Sequence, residues 1–210
     1  MRVVVGVDES GTGAWAGSYT VCAVAVYDAD SKLLREAGGR DSKSMTDIRR
    51  RGSIAAISQI ALFAKTVEVT VKEIDEGKKD AWRSAIVRSV SHVLECLLDH
   101  GIALTSVEVV IDGLPDPATQ KRISRELGIS SIKFLTSAED QVPAVGAASV
   151  LAKTVRNNIM AALHESYPVY RWIDNKGYGT KQHAEAIEKY GRSPQHRDVK
   201  VAVLGWKEKT

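Results

Sequence analysis

The stretch that decides the fold is Val3-Val4-Val5-Gly6-Val7-Asp8-Glu9-Ser10-Gly11-Thr12-Gly13, an apolar run that ends abruptly in two carboxylates and a glycine-punctuated turn. Val3 to Val7 reads as a strand, with Asp8 and Glu9 at its tip. Side chains alternate along a strand, so the two acids serve one site if the strand ends between them, and Gly11 and Gly13 supply that break. The glycines also let backbone come close to a bulky anionic group. Hard oxygen donors beside such a loop suit a divalent cation and a phosphate. The competing reading of the same residues is a strand-end turn in which Asp8 or Glu9 caps the following segment.

Outward from this stretch, Ser18 to Tyr27 is rich in Val and Ala and predicts a strand paired with the first. Asp28-Ala29-Asp30-Ser31 makes a turn, and Lys32 to Glu36 is expected as the third strand of a meander. Apolar residues at helical spacing (Ile54, Ile57, Ile60, Ala61) predict a helix from a cap at Thr46 to about Ala64. Thr66 to Lys72 alternates as a half-buried strand. A helix follows from about Lys79 to His100, and the unbroken run Val107 to Ile111 fits a central strand buried on both faces. Asp116-Pro117 opens a short helix to Leu127. Ser131 to Leu135 is another strand, Gln141 to His164 a long helix entered through Pro143, and Thr180 to Tyr190 a last short helix. The order predicts an α/β domain, a mixed sheet flanked by helices.

At 210 residues, 44% of them hydrophobic, the chain is expected to form one domain over residues 1–210, with residues from about 165 as a C-terminal extension. The opening residues lack the charge, apolar core and cleavage site of a leader, and no apolar run approaches the roughly 18 residues of a membrane span. The expectation is a cytoplasmic protein with no membrane association, a monomer. Cys22 and Cys96 lack metal-ligand spacing and read as reduced core residues. Residues 1–140 carry 18 Lys and Arg against 20 Asp and Glu, and residues 141–210 carry 11 against 6. A basic C-terminal third fits a polyanion partner, as it also fits solvated helix faces.

In such a sheet, sites gather at the C-terminal ends of the central strands. Asp8 and Asp112 both stand there, and Asp140 precedes a helix. Local readings of the last two are an Asp-Gly turn and a helix cap. Repulsion among several such acids is tolerable mainly when cations neutralise them.

The chain resembles the ribonuclease HII family. The matching segments are Gly6-Val7-Asp8-Glu9-Ser10-Gly11, Asp41-Ser42-Lys43-Ser44-Met45-Thr46, Val110-Ile111-Asp112-Gly113 and Ala138-Glu139-Asp140. They continue in order with Ala147-Ala148-Ser149-Val150-Leu151-Ala152-Lys153, Lys176-Gly177-Tyr178-Gly179-Thr180, Tyr190-Gly191 and His196-Arg197. The resemblance implies a ribonuclease H-like architecture, a five-stranded mixed sheet flanked by helices with a C-terminal helical segment that binds substrate. It implies a catalytic and metal-binding quartet of Asp8, Glu9, Asp112 and Asp140 holding two divalent ions, Mg2+ or Mn2+. The implied reaction is hydrolysis of the RNA strand of RNA–DNA hybrids, or of DNA containing ribonucleotides, to 3′-hydroxyl and 5′-phosphate ends. The all-oxygen donor set suits these ions and argues against zinc. By resemblance, Gly11, Thr12, Gly13, Lys43, Lys153, Arg156 and Tyr178 contact substrate. Lys153 and Arg156 lie three apart on one helix face, a spacing that equally fits a solvated basic face.

Two positions depart from the family pattern. Thr12 stands where the glycine loop usually carries an arginine that helps recognise the 2′-hydroxyl, which predicts better cleavage of ribonucleotide runs than of a lone ribonucleotide. Asn157 replaces a usual Asp. His183 and His196 are expected in structural or surface roles, and the scattered tryptophans in core or surface packing. The C-terminal Val203-Leu204-Gly205-Trp206 carries no clear docking motif for a clamp or polymerase. Two other readings compete: the phosphate loop of the actin and sugar-kinase ATPases, which would need a second related domain, and a hybrid-binding protein without catalysis.

Overall fold

The computed structural model describes residues 1–38 and 47–198, with residues 47–51 described by backbone alone. Five strands form one sheet in the order β3-β2-β1-β4-β5. Strands β1 (Val3–Ser10), β2 (Tyr19–Tyr27) and β3 (Phe63–Val69) run antiparallel as neighbours, while β4 (Val107–Asp112) and β5 (Ile132–Leu135) continue parallel to β1. Helices α1 (Ser31–Glu36), α2 (Asp47–Ile60), α3 (Val71–Gly77), α4 (Lys79–Asp99) and α5 (Pro117–Leu127) precede the short α6 (Ala138–Gln141). The long α7 (Pro143–Ser166) then crosses the sheet, and α8 (Trp172–Asn175) and α9 (Lys181–Tyr190) follow it.

Strand alternation sorts the core onto the two faces of the sheet. Val3, Val5, Val7, Val109 and Ile111 meet Ile86, Val90, Val93 and Leu97 of α4. Val4, Cys22, Val24 and Val110 meet Ala144, Val145 and Ala148 of α7. At about 1.5–3 kcal/mol for each fully buried aliphatic side chain, these two layers hold the sheet. Gly6 sets the approach of α7: a Cβ there would lie 2.2 Å from the Ala144 carbonyl carbon and the Val145 nitrogen. The helix therefore rests directly on β1 backbone. A third, smaller cluster of Ala16, Met160, Tyr170, Trp172, Ala186 and Ile187 ties the C-terminal helices to the far end of α7.

The meander exists, yet its third strand is β3 and not Lys32 to Glu36. That segment forms α1, in which only Leu34 is buried, so it offers the single apolar contact of a short helix and no alternating face for a sheet. Strand β3 starts at Phe63 and ends at Val69, because Thr70 caps α3: its hydroxyl accepts from the Glu73 amide while the Glu73 carboxylate accepts from the Thr70 amide. The predicted cap at Thr46 lies outside the described residues. Among the described residues, no helix is long and apolar enough to cross a membrane.

Candidate active site

Strands β1 and β4 are parallel neighbours in register from Val3 opposite Val107 to Val7 opposite Ile111. Asp8 and Asp112 are each the next residue and so face each other at the strand ends. Both point to the α7 side, as Val4 and Val110 do four and two residues earlier. Contrary to the sequence expectation, β1 does not break between Asp8 and Glu9 but runs on to Ser10. Glu9 therefore leaves on the α4 side, where the Trp82 indole N–H donates to its Oε2 at 3.3 Å. The two acids still share one cleft, because it opens at the sheet's end, where side chains of both faces reach it.

That cleft, of about 240 Å³, is lined by Asp8, Glu9, Asp112 and Glu139, with Ser149 and Lys153 from α7, Tyr178, and the Ser10, Gly11 and Thr12 turn. The fourth acid is Glu139 and not the expected Asp140. In the single turn of α6 the two residues point about 100° apart, and Glu139 is buried while Asp140 is exposed. The α6 end is pinned by Arg35, whose guanidinium donates to the carbonyls of Asp140 and Gln141, and by the Ala138 amide, which donates to Asp112 Oδ1 at 2.7 Å. With both ends held, Glu139 turns toward the sheet.

Burial pushes the Asp8 carboxyl up to about 7, with the charges of Glu9 and Asp112 adding to the rise, while hydrogen bonds from the Ser149 hydroxyl and the Glu9 amide oppose it. Glu9 is raised for the same leading reason and by Asp112 and Glu139, against the Trp82 bond. The cluster is thus short of positive charge. Among the described residues, no three Asp, Glu, His or Cys side chains form a ready metal-binding group. The oxygen-only chemistry and the crowding of the acids nevertheless fit hard divalent cations, which would relieve the repulsion that raises Asp8 and Glu9.

Of the other expected residues, Lys153, Gly11, Thr12 and Tyr178 line the cleft, and Tyr178 is 41% exposed. Gly13 continues the turn without lining it, and Lys43 lies outside the described residues. Arg156 is neither a solvated nor a phosphate-facing residue: it is 1% exposed, because the loops around residues 11–18 and 175–178 cover the face of α7 that it shares with Lys153. Asn157 is half-buried and outside the cleft lining. His183 and His196 are buried in the C-terminal cluster, as expected.

Sequence reasoning did not single out two residues of the cleft, Ser149 and Glu139, or Trp82, which reaches it through Glu9. Ser149 stands four residues before Lys153, a spacing that puts both on one helix face. Trp82 belongs to the apolar stripe of α4, and only its indole N–H reaches the site. Nothing local distinguishes Glu139 from Asp140.

The family model for ribonuclease HII matches residues 5–208. A ribonuclease HII of Acidovorax sp. (strain JS42) is 35% identical over 196 residues, 93% of this chain and 83% of the relative. Ribonuclease H2 of Pyrococcus horikoshii OT3 superposes with a TM-score of 0.75 at 22% identity, covering 93% of this chain and 92% of that one. Bst ribonuclease HIII, solved in complex with Mn2+, shares the fold at a TM-score of 0.65 and 20% identity, over 90% of this chain and 63% of its own.

Proposed function

Because the chain belongs to the ribonuclease HII family, a group of ribonuclease H hydrolases, we propose that its acidic cleft is the active site of a divalent-metal-dependent endoribonuclease acting on RNA–DNA hybrids. The observation that carries this is the meeting of four carboxylates from β1, β4 and α6 in one cleft rimmed by Lys153 and Tyr178. Asp8, Glu9, Asp112 and Glu139 would hold the cations, Mg2+ or Mn2+, and the Mn2+ complex of the ribonuclease HIII structure supports that choice. When bound, a pair of such ions supplies an activated water and stabilises the leaving 3′-oxygen in an in-line displacement, which leaves 3′-hydroxyl and 5′-phosphate ends.

The chain's own residues bind and orient. Lys153 offers an ammonium to a phosphate entering the cleft, and Tyr178 offers an exposed ring for a sugar or base. Ser149 and Trp82 donate to Asp8 and Glu9, and so hold those carboxylates in place while favouring their ionised forms. Thr12 brings neither charge nor reach, so runs of ribonucleotides should be cut better than a lone one.

The test is cleavage of a uniform hybrid, and of a duplex with one embedded ribonucleotide, with Mg2+ or Mn2+ and with chelator. Wild-type protein should cut in metal and stop in chelator. Glu139→Gln should lower kcat by about 100-fold or more, whereas Asp140→Asn should stay within roughly threefold, because its side chain lies outside the cleft. Wild-type protein that cuts no hybrid would overturn the function, and the reverse ranking of the two variants would overturn the ligand set.

A further inference from the structure

Two arginines lie beneath the substrate-facing loops. Arg156 of α7 and Arg197, beyond α9, are each 1% exposed. A buried cation ordinarily has a carboxylate partner, since stripping its water costs several kcal/mol. Among the described residues, no ion pair joins either guanidinium to a carboxylate; both donate to backbone carbonyls. Arg156 Nε donates to the Ser18 carbonyl at 3.2 Å and Nη2 to the Lys176 carbonyl at 2.7 Å. Arg197 Nε donates to the Gly17 carbonyl and Nη1 to the Thr12 carbonyl, both at 2.8 Å, while its Nη2 is buried with no hydrogen-bond partner.

These acceptors are not scattered. Thr12, Gly17 and Ser18 belong to the turn after β1, and Lys176 precedes Tyr178, so Arg156 joins the two loops that frame the acidic cleft while Arg197 ties the first of them together from within. The Arg156 guanidinium carbon also lies 5.1 Å from the Tyr178 ring centroid. Gly11, at φ +94°, sits directly on Arg156, where a Cβ would lie 1.7 Å from Nε. A trans peptide is planar, with its C=O and N–H pointing in opposite directions. With the Thr12 carbonyl turned down onto Arg197, the Gly13 N–H of the same peptide points away from the buried guanidinium. Burial, then the neighbouring charge of Arg156, lowers the Arg197 pKa to about 10, so it remains a cation at neutral pH.

We propose that Arg156 and Arg197 are positioning residues for the nucleic-acid strand: from beneath, Arg156 fixes the glycine turn and the Tyr178 loop at one spacing, and Arg197 holds the turn's own shape and aims its backbone donors outward. Their charge is compensated when the polyanionic substrate lies on those loops, which makes substrate binding and loop order mutually reinforcing. This rests on the hybrid-cleaving function proposed above and adds a determinant of selectivity distinct from the acids.

The experiment uses Arg197→Met and Arg197→Lys in the full chain. Cleavage is measured on a uniform hybrid and on a duplex with one ribonucleotide, and binding in an Asp8→Asn background with Mg2+. A lowered folded fraction reduces both cleavage rates equally, so their ratio reports positioning alone. Arg197→Met should raise the hybrid Kd and KM about tenfold, leave saturating kcat within roughly threefold and shift the substrate ratio by about fivefold or more. Arg197→Lys keeps the charge but cannot span the Gly17 and Thr12 carbonyls as a fork does, so it should recover affinity more than it recovers the ratio. Parallel loss on both substrates with unchanged KM, or an unchanged ratio in both variants, would overturn the proposal. If Arg197→Met does not fold, the ratio in Arg197→Lys and Arg156→Lys decides. Wild-type protein that binds hybrid without cutting it would overturn the hydrolysis, and the positioning role of the two arginines would then stand or fall on Kd.

Discussion

At the scale of single residues, the site depends on small groups placed against large ones. Gly11 shows this most directly, because its positive φ and its contact with Arg156 leave no room for a side chain. Gly11→Ala therefore meets two costs, about 1–2 kcal/mol for the backbone conformation and more for displacing a buried guanidinium. Its melting temperature should fall by roughly 4–8 °C in thermal circular dichroism, with weaker hybrid binding. Wild-type stability in this variant would show that the turn relaxes freely. The glycine was legible in the sequence as a loop break; what lay beneath it was not. A residue 145 positions away supplies the contact, and no local spacing carries that information.

At the scale of elements, α9 and the loop before it are anchored by a histidine pair. The His183 and His196 Nε2 atoms lie 3.1 Å apart, the Trp172 indole N–H donates to His183 Nε2, and His183 Nδ1 donates to the Tyr178 carbonyl at 2.9 Å. The Ser193 amide donates to His196 Nδ1. Burial, then the neighbouring His183, lowers the His196 pKa from 6.5 to about 4. A depressed folded-state value means that this contribution to stability is complete above about pH 6.5 and is lost as pH falls toward 4. His196→Asn should flatten the acid limb of the stability curve between those values, measured by tryptophan fluorescence during urea unfolding. Parallel curves for variant and parent would remove the pair from the acid response. Element identity was largely legible here: α4, α5, α7 and α9 follow their apolar periods and caps. Segment 32–36 forms a helix and not the expected strand because five mostly polar residues carry too little periodicity to separate the two.

For the whole molecule, the acidic cleft is a place where stability gives way to function. Asp8 keeps its proton up to about pH 7 in the fold, against an ordinary 3.8. Because the folded value is raised, protein free of divalent cations loses stability as pH rises between those values, and the loss is complete above about 7. Divalent cations that bind the ionised acids should reverse it. Chelated protein should therefore melt lower at pH 8 than at pH 6, and saturating Mg2+ or Mn2+ should raise the midpoint more at pH 8. Equal metal-induced shifts at both pH values would show that cluster repulsion does not govern the metal-free stability.

The sequence by itself determined the α/β class, most of the elements and the placing of Asp8 and Asp112 at strand ends, because strand periodicity and caps are local or nearly so, whereas the pairing of β1 with β4 that makes the two acids meet came from the tertiary structure. It also brought the ribonuclease HII resemblance, carried by ordered blocks along the chain. Only the tertiary structure decided which of two adjacent acids, Glu139 or Asp140, enters the cleft, and that Arg156 faces inward while Lys153 lines the site. Those outcomes depend on what covers each face of a short helix or the end of a long one. The covering loops come from distant parts of the chain, which helical spacing alone does not report.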